Sequence, residues 1–304
     1  MQGQARAPAA GTVLNALANR RGAAFAIDAY VEATVELGDP GPVAVAVVGE
    51  PDADTRLVER CVALTTAAYG DGEGGRVTTE SDVPLAAGLK SSSAAANATV
   101  LATLAALDVP VHDSSTSPAS TDDAGAGDAR ESAVTREDAA RLGVRAAREA
   151  GVTVTGAFDD ASASMLGGVT VTDNDADALL AHEPVDWDVL VWTPPARAYS
   201  ADADVARCER LANLADFVLE TALDGRYAEA MTVNGFAFCA ALDFPTDPLL
   251  AALPEADGVS LSGTGPSVTA IGTADRLAAV EARWHEREGT TWMTTTQNEG
   301  ARVA

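Results

Sequence analysis

Pro84-Leu85-Ala86-Ala87-Gly88-Leu89-Lys90-Ser91-Ser92-Ser93-Ala94-Ala95-Ala96-Asn97 follows a Thr/Val-rich stretch, Arg76 to Val83, that reads as a strand. It opens an alanine-rich stretch from Ser91 to Leu107 that reads as a helix, with Val100, Leu101, Leu104 and Leu107 on one side. A helix N-terminus offers unpaired N–H groups and the positive end of a dipole, which suits a phosphate. Gly88 lets the backbone approach an anion, the serines supply hydroxyls for phosphate oxygens or a metal, and Lys90 supplies a cation. A serine-rich cap on an ordinary helix is the plain alternative. It explains the serines, but not the glycine, the lysine and the strand–loop–helix setting together, so the anion site is preferred. The common P-loop is excluded, because Val83 stands where its first glycine belongs. Gly263-Thr264-Gly265 fails as a dinucleotide fingerprint at Val268, and no Gly-x-Ser-x-Gly elbow occurs.

Outward from this segment the composition narrows the field. The 304 residues carry 45 acidic and 20 basic side chains, a formal net charge of -25, with 47% apolar and 5% aromatic residues. A pI near 4.2 weighs against nucleic acid or an anionic membrane surface as partner. Normal apolar content excludes disorder as the cause, so the excess charge reads as a solvated acidic surface. Lys90 is the single lysine; every other cation is arginine. Abundant Asp and Glu with almost no Lys points to a salt-loving source, where salt screens self-repulsion. A lysine retained against that drift is expected to have a role.

The N-terminus lacks the apolar core of a signal peptide, and no window of about 18 apolar residues could span a membrane. Cys61, Cys208 and Cys239 are isolated and odd in number, and His112, His182 and His285 are scattered, so neither a disulfide framework nor a zinc site is expected. A cytoplasmic protein is expected.

Strands are expected over Ala24–Leu37, Pro42–Val48, Val169–Thr172, Val189–Trp192 and Thr290–Thr296, and on both sides of a glycine turn within Gly258–Gly272. Helices are expected over Asp54–Tyr69, from a Thr135 cap with Asp138 to Gly151, and over Asp204–Leu223, Arg226–Leu242 and Ala274–His285. The Ser/Thr/Asp/Ala/Gly tract from Asp113 to about Asp128 reads as a mobile acidic loop. Strands and helices mix in both halves, giving an α+β class with two lobes divided at 166/167.

Pro-x-x-x-Gly-Leu-x-Ser-Ser-x-Ala resembles the ATP-phosphate loop of the GHMP small-molecule kinases, such as galactokinase, homoserine kinase and mevalonate kinase. The form Gly88-Leu89-Lys90-Ser91-Ser92-Ser93-Ala94-Ala95-Ala96-Asn97 is most similar to their archaeal shikimate kinase branch. Thr155-Gly156-Ala157-Phe158-Asp159-Asp160-Ala161-Ser162 resembles the Gly-x-x-Asp-Asn segment, and Ser260 to Ser267 resembles the C-terminal glycine motif. Pro8 to Asn15 and Ala24 to Asp28 are similar to the N-terminal motif. The resemblance implies a two-lobe fold, with an N-terminal β/α lobe (1–166) bearing the phosphate loop and a ferredoxin-like C-terminal lobe (167–304). It implies an ATP- and Mg²⁺-dependent kinase acting on shikimate, with homoserine, another small-molecule acceptor or a non-catalytic ATP sensor as alternatives.

Site residues follow from the same resemblance. Pro84, Leu85, Ala86, Ala87, Gly88, Leu89, Lys90, Ser91, Ser92, Ser93 and Ala94 would bind ATP, and Ser92 with Glu149 would hold Mg²⁺. Asp159 corresponds to the aspartate that acts on the acceptor hydroxyl, with Asp160 beside it and Lys90 neutralising phosphate. Asn15, Asp28, Gly263, Thr264 and Gly265 would support substrate or phosphate. Ala9 and Ala10 occupy the region where many family members place a lysine that assists the base. Arg20, Arg21, Arg197 and Arg210 are candidates for a substrate carboxylate on chemistry alone.

Overall fold

The computed structural model describes residues 1–113, 134–196, 198 and 203–304. The expected acidic loop, apart from Asp113, lies outside them, as does Arg197. The chain begins β1 (Gln2–Leu14), β2 (Arg21–Pro40), β3 (Val43–Val47), α1 (Arg56–Tyr69), β4 (Glu73–Ser81) and α2 (Ser91–Ala106). Two short strands, β5 (Val111–His112) and β6 (Val134–Thr135), precede α3 (Arg136–Ala150), α4 (Phe158–Leu166), β7 (Val169–Asp173) and β8 (Ala178–Glu183). Then come β9 (Asp188–Thr193), α5 (Val205–Glu209), α6 (Ala212–Leu223), α7 (Tyr227–Leu242) and α8 (Asp247–Ala252). The last elements are β10 (Gly258–Leu261), β11 (Val268–Gly272), α9 (Ala274–Trp284), β12 (Thr290–Thr295) and β13 (Arg302–Val303).

The 20-residue strand β2 organises the first sheet, whose order is β13-β1-β2-β4-β3. Its C-terminal half alternates buried Ala29, Val31, Ala33, Val35 and Leu37 with exposed Glu32 and Glu36, the signature of a strand with one wet face. Its first half, Gly22 to Ile27, is buried without interruption, because α4, α6 and β12 all pack there. On one side β2 pairs with β1 throughout; on the other it pairs with β7 over Arg21–Phe25 and with β4 from Val31 onward. Between those partners Ile27 bridges to Thr296 and the Ala26 carbonyl accepts from Gln297 N–H, and the loop after β4 departs beyond the Asp82 N–H bond to the Tyr30 carbonyl. Helix α2 lies over β1 so closely that a Cβ on Gly3 would come 2.1 Å from the Ala102 carbonyl oxygen. Its alanines make this approach possible, and it is buried nearly all round rather than on one face.

The second sheet has the order β10-β11-β9-β12, all antiparallel. Taken with α6–α7 after β9 and α9 after β11, this is the β-α-β-β-α-β ferredoxin-like arrangement. β7 and β8 belong to the first sheet, as does the C-terminal β13, so the boundary between sheets falls between β8 and β9 and does not coincide with 166/167. The helix expected over Asp204–Leu223 is two: Asp204 caps a single short turn, and a Leu211 N–H to Cys208 carbonyl bond of 2.8 Å tightens and redirects the chain. Thr135 and Asp138 form the expected capping box, and Gly151 ends α3 in the left-handed region at φ 70°.

Phe25 sits where the two sheets meet. It is fully buried, its ring meets Trp187 edge-on at 5.6 Å, and Trp187 in turn meets Tyr227 at 6.1 Å. A Cβ on Gly11 would lie 2.2 Å from the ring, so no larger residue fits beneath it. Phe25→Ala is expected to cost about 3–5 kcal/mol. Denaturant unfolding in concentrated KCl measures this, and a loss under about 1 kcal/mol would show that the ring is not a joint between lobes.

Candidate active site

The loop from β4 to α2 is held by its carbonyls. Ala86 accepts from Ala198 N–H (3.0 Å), Ala87 from Ser267 N–H (3.2 Å), Gly88 from the Ser262 hydroxyl (2.9 Å) and Leu89 from Ala10 N–H (3.1 Å). No acceptor for any N–H from Leu85 to Ser93 is found among the described residues. Ala86, Gly88 and Lys90 all take left-handed conformations, at φ 55°, 81° and 63°. Alternating hand turns successive N–H groups to one side and makes an anion-binding concavity. Two of these residues are not glycine, and such strain persists only where the surroundings enforce it. Helix α2 adds to the cradle, having no side-chain cap and no acidic residue in its first turn. Ser91 is buried, Ser93 half-buried, and Ser92 presents its hydroxyl to solvent.

The glycine turn between β10 and β11 backs this loop. A Cβ on Gly88 would come 2.2 Å from the Ser262 carbonyl oxygen, so only glycine fits. The turn is anchored in its own right: Asn15 donates to the Gly263 carbonyl (2.7 Å), and Gly263 N–H donates to the Thr12 hydroxyl (2.8 Å). Asn234 accepts from Asn15 N–H and donates to the Ser260 hydroxyl, each at 2.9 Å. Asn15 therefore holds the turn that carries Gly263, Thr264 and Gly265.

Gly156 and Ala157, left-handed at φ 85° and 55°, turn the chain into α4, whose first turn carries Asp159 and Asp160. A helix N-terminus favours negative charge. The two carboxylates then part company. Asp159 is 4% exposed; Asn174 donates to its Oδ1 at 2.7 Å, and its Oδ2 lies over Gly22, where a Cβ would come within 2.4 Å. Burial, and next the negative charge of Asp160, push its carboxyl up to about 6, against the pull of Lys90 and of the Asn174 hydrogen bond. Asp160 is paired with Lys90, its Oδ1 2.5 Å from Nζ, with the side chains 19% and 8% exposed. No partner for its Oδ2 is found among the described residues. The lysine stem runs beside Gly263, where a Cβ would lie 3.4 Å from Lys90 Cε. Phosphate loop, glycine turn and acidic helix thus converge on one ion pair.

The profile of the GHMP kinases N-terminal domain matches residues 56–168. A shikimate kinase from Halobacterium salinarum is 60% identical to the chain, over all of both proteins. One from Methanosarcina mazei is 45% identical, over 99% of this chain and 96% of its own. The chain belongs to the shikimate kinases of the GHMP superfamily. The fold agrees: homoserine kinase from Cytophaga hutchinsonii superposes with a TM-score of 0.73 at 17% identity, covering 100% of this chain and 97% of that one. Methanococcus jannaschii mevalonate kinase does so at 0.72 and 12%, covering 98% and 99%.

Shikimate kinases of this superfamily use ATP and Mg²⁺, and the cradle of free N–H groups beside Lys90 suits a triphosphate. Mg²⁺ needs only one or two protein oxygens besides phosphates and water, and the exposed Ser92 hydroxyl is one such oxygen. No cluster of three or more His, Cys, Asp or Glu able to hold a metal occurs among the described residues. Glu149 is held in ion pairs by Arg145 (2.8 Å) and Arg60, which keep its carboxyl below the usual range. Asp28 stands apart from the Asp159–Asp160 pair: it accepts from the Tyr30 hydroxyl and lines a cleft of about 460 Å³ with Asp82, Pro84, Thr193 and Trp292. Two carboxylates make that cleft a poor place for phosphate. Nothing in the sequence singles out Asn174, since Asp173-Asn174-Asp175-Ala176-Asp177 reads as an acidic surface turn; only its 1% exposure marks it out. Gly22 carries no signal beyond being glycine.

The folded chain holds the Asp159 proton more tightly than the unfolded chain, where the carboxyl has its ordinary value of 3.8. Stability therefore falls as pH rises from about 4 to about 6. Asp159→Asn is expected to flatten that slope in unfolding titrations. An undiminished slope in the variant would assign it to other groups.

Proposed function

We propose that the protein transfers the γ-phosphoryl group of ATP to the 3-hydroxyl of shikimate, giving shikimate 3-phosphate in aromatic amino-acid biosynthesis. The acceptor rests on the full-length relatives, and the chemistry rests on one observation: the Lys90–Asp160 pair stands where the phosphate cradle meets α4. Phosphoryl transfer needs alignment and charge neutralisation more than covalent help. The free N–H groups from Leu85 to Ser93 and the Lys90 ammonium hold the phosphates. Asp160 Oδ2 faces the acceptor and takes the hydroxyl proton as the new O–P bond forms and the bond from Pγ to the ADP oxygen breaks. Asp159, buried over Gly22, positions α4 rather than touching substrate. Lys90 here supplies the cation beside the base, from the phosphate loop, while Ala9 and Ala10 fill the N-terminal motif. Ser92 would hold Mg²⁺ together with the phosphates, and the ion would supply further charge neutralisation; Glu149 instead joins α1 to α3 through its arginines.

No helix among the described residues is long and apolar enough to cross a membrane. The three cysteines are free and buried. Both support placing this activity in the reducing cytoplasm. The deciding assay is coupled ADP release in concentrated KCl, with shikimate, homoserine and mevalonate offered separately; turnover is expected with shikimate alone. Silence from a folded sample would favour another acceptor or an ATP sensor. Asp160→Asn is expected to lower kcat by roughly 10²- to 10⁴-fold with ATP binding retained, and wild-type turnover would remove it from the chemistry.

A further inference from the structure

Arg20 differs from the two arginines nearest to it in this framework, Arg21 and Arg148. Its neighbour Arg21 pairs with Asp173 at 3.0 Å, and Arg148 pairs with Asp177 at 2.6 Å. Arg20 has no carboxylate within ion-pair distance among the described residues, although the chain carries 45 acidic side chains to choose from. Its guanidinium gives one N–H to the Val154 carbonyl at 2.6 Å and is half-buried. A guanidinium carries five N–H donors, so most of its capacity, and all of its charge, is left for something else.

The backbone beneath it is strained and pinned. Arg20 lies in the left-handed region at φ 62°, which is uncommon for a residue with a long side chain. Its N–H donates to the Ala16 carbonyl (3.0 Å), and its own carbonyl accepts from Asn174 N–H (2.9 Å). Asn174 is the residue that clamps Asp159, and Gly22, two positions along from Arg20, lies under that carboxylate. The guanidinium itself reaches Val154, just before the Gly156–Ala157 turn into α4. Arg20 is thus fixed, by backbone and side chain, to the same framework that presents Asp160. Strain enforced on a charged residue at such a place points to function.

We infer that Arg20 docks the carboxylate of the acceptor and so determines specificity for an acidic polyol over a neutral one. This rests on the shikimate reading above. A planar fork matches a carboxylate in two hydrogen bonds and fixes the orientation of a rigid ring. That orientation would bring one ring hydroxyl, and not its neighbours, to Asp160.

The test compares shikimate with its neutral carboxamide, by equilibrium binding and by KM, for the wild type, Arg20→Asn and Arg20→Lys. Asn tolerates the left-handed backbone, so the first variant removes the charge without changing the turn. It is expected to weaken shikimate roughly 10- to 100-fold, with carboxamide binding and the KM for ATP little changed, so that discrimination between the two ligands collapses. Arg20→Lys is expected to recover part of the loss, as a charge without the fork. Unchanged discrimination in both variants would overturn the role, as would an equal loss for shikimate and carboxamide, which marks a merely structural residue. If Arg20→Asn fails to fold, the Arg20→Lys ratio decides the matter alone. A folded wild type inactive on shikimate would instead sink the underlying reading.

Discussion

The site depends on the second lobe taking hold of the carbonyl side of the loop between β4 and α2. With Gly88 pressed against Ser262, and the Ala87 and Gly88 carbonyls bonded to Ser267 and Ser262, the peptide planes cannot rotate back. Their N–H groups are thereby turned to the other side and left for an anion. Neither lobe could do this alone. Strand β4 of the first sheet delivers the loop, while the glycine turn of the second sheet supplies the wall. Left-handed Ala86 and Lys90 are disfavoured locally, and it is the wall that enforces them.

The same pinning separates two adjacent carboxylates. Asp159 and Asp160 share a helical turn, yet Gly22 and Asn174 enclose the first, while the second meets an ammonium delivered by the loop. Environments that differ this much assign different tasks to like groups. Burial and the neighbouring charge raise the Asp159 carboxyl, while Asp160 is the one that meets the Lys90 ammonium. The chemistry then depends on the register between α2 and α4, which Asn97 fixes through its 2.9 Å hydrogen bond to the Ala161 carbonyl.

Much of this architecture is legible in the sequence. The alternation in β2, the Thr135–Asp138 cap and the strand–glycine–serine–helix order each follow from local rules, and local rules survive folding. The phosphate loop is readable for the same reason, since glycine, lysine and serines lie in one short segment. What stays hidden depends on contacts far apart in the chain. Asn174 sits in an acid-rich run indistinguishable from surface, and its worth comes from Asp159, 15 residues earlier. The Lys90–Asp160 pair spans 70 residues, so composition can mark the lysine as special but not name its partner. β13 is only two residues long, so its pairing is set by the sheet it joins and periodicity over so few residues carries little.

The choice of lysine at position 90 also follows from packing and salt. Its stem passes Gly263, and its compact ammonium on a flexible stem reaches Asp160 Oδ1 at 2.5 Å. Concentrated salt screens exposed pairs such as Arg226–Glu229, whose side chains are 53% and 59% exposed. A pair largely withdrawn from water is screened far less. In a chain that places arginine at every other cationic position, the single lysine stands where an ion pair keeps its strength in brine.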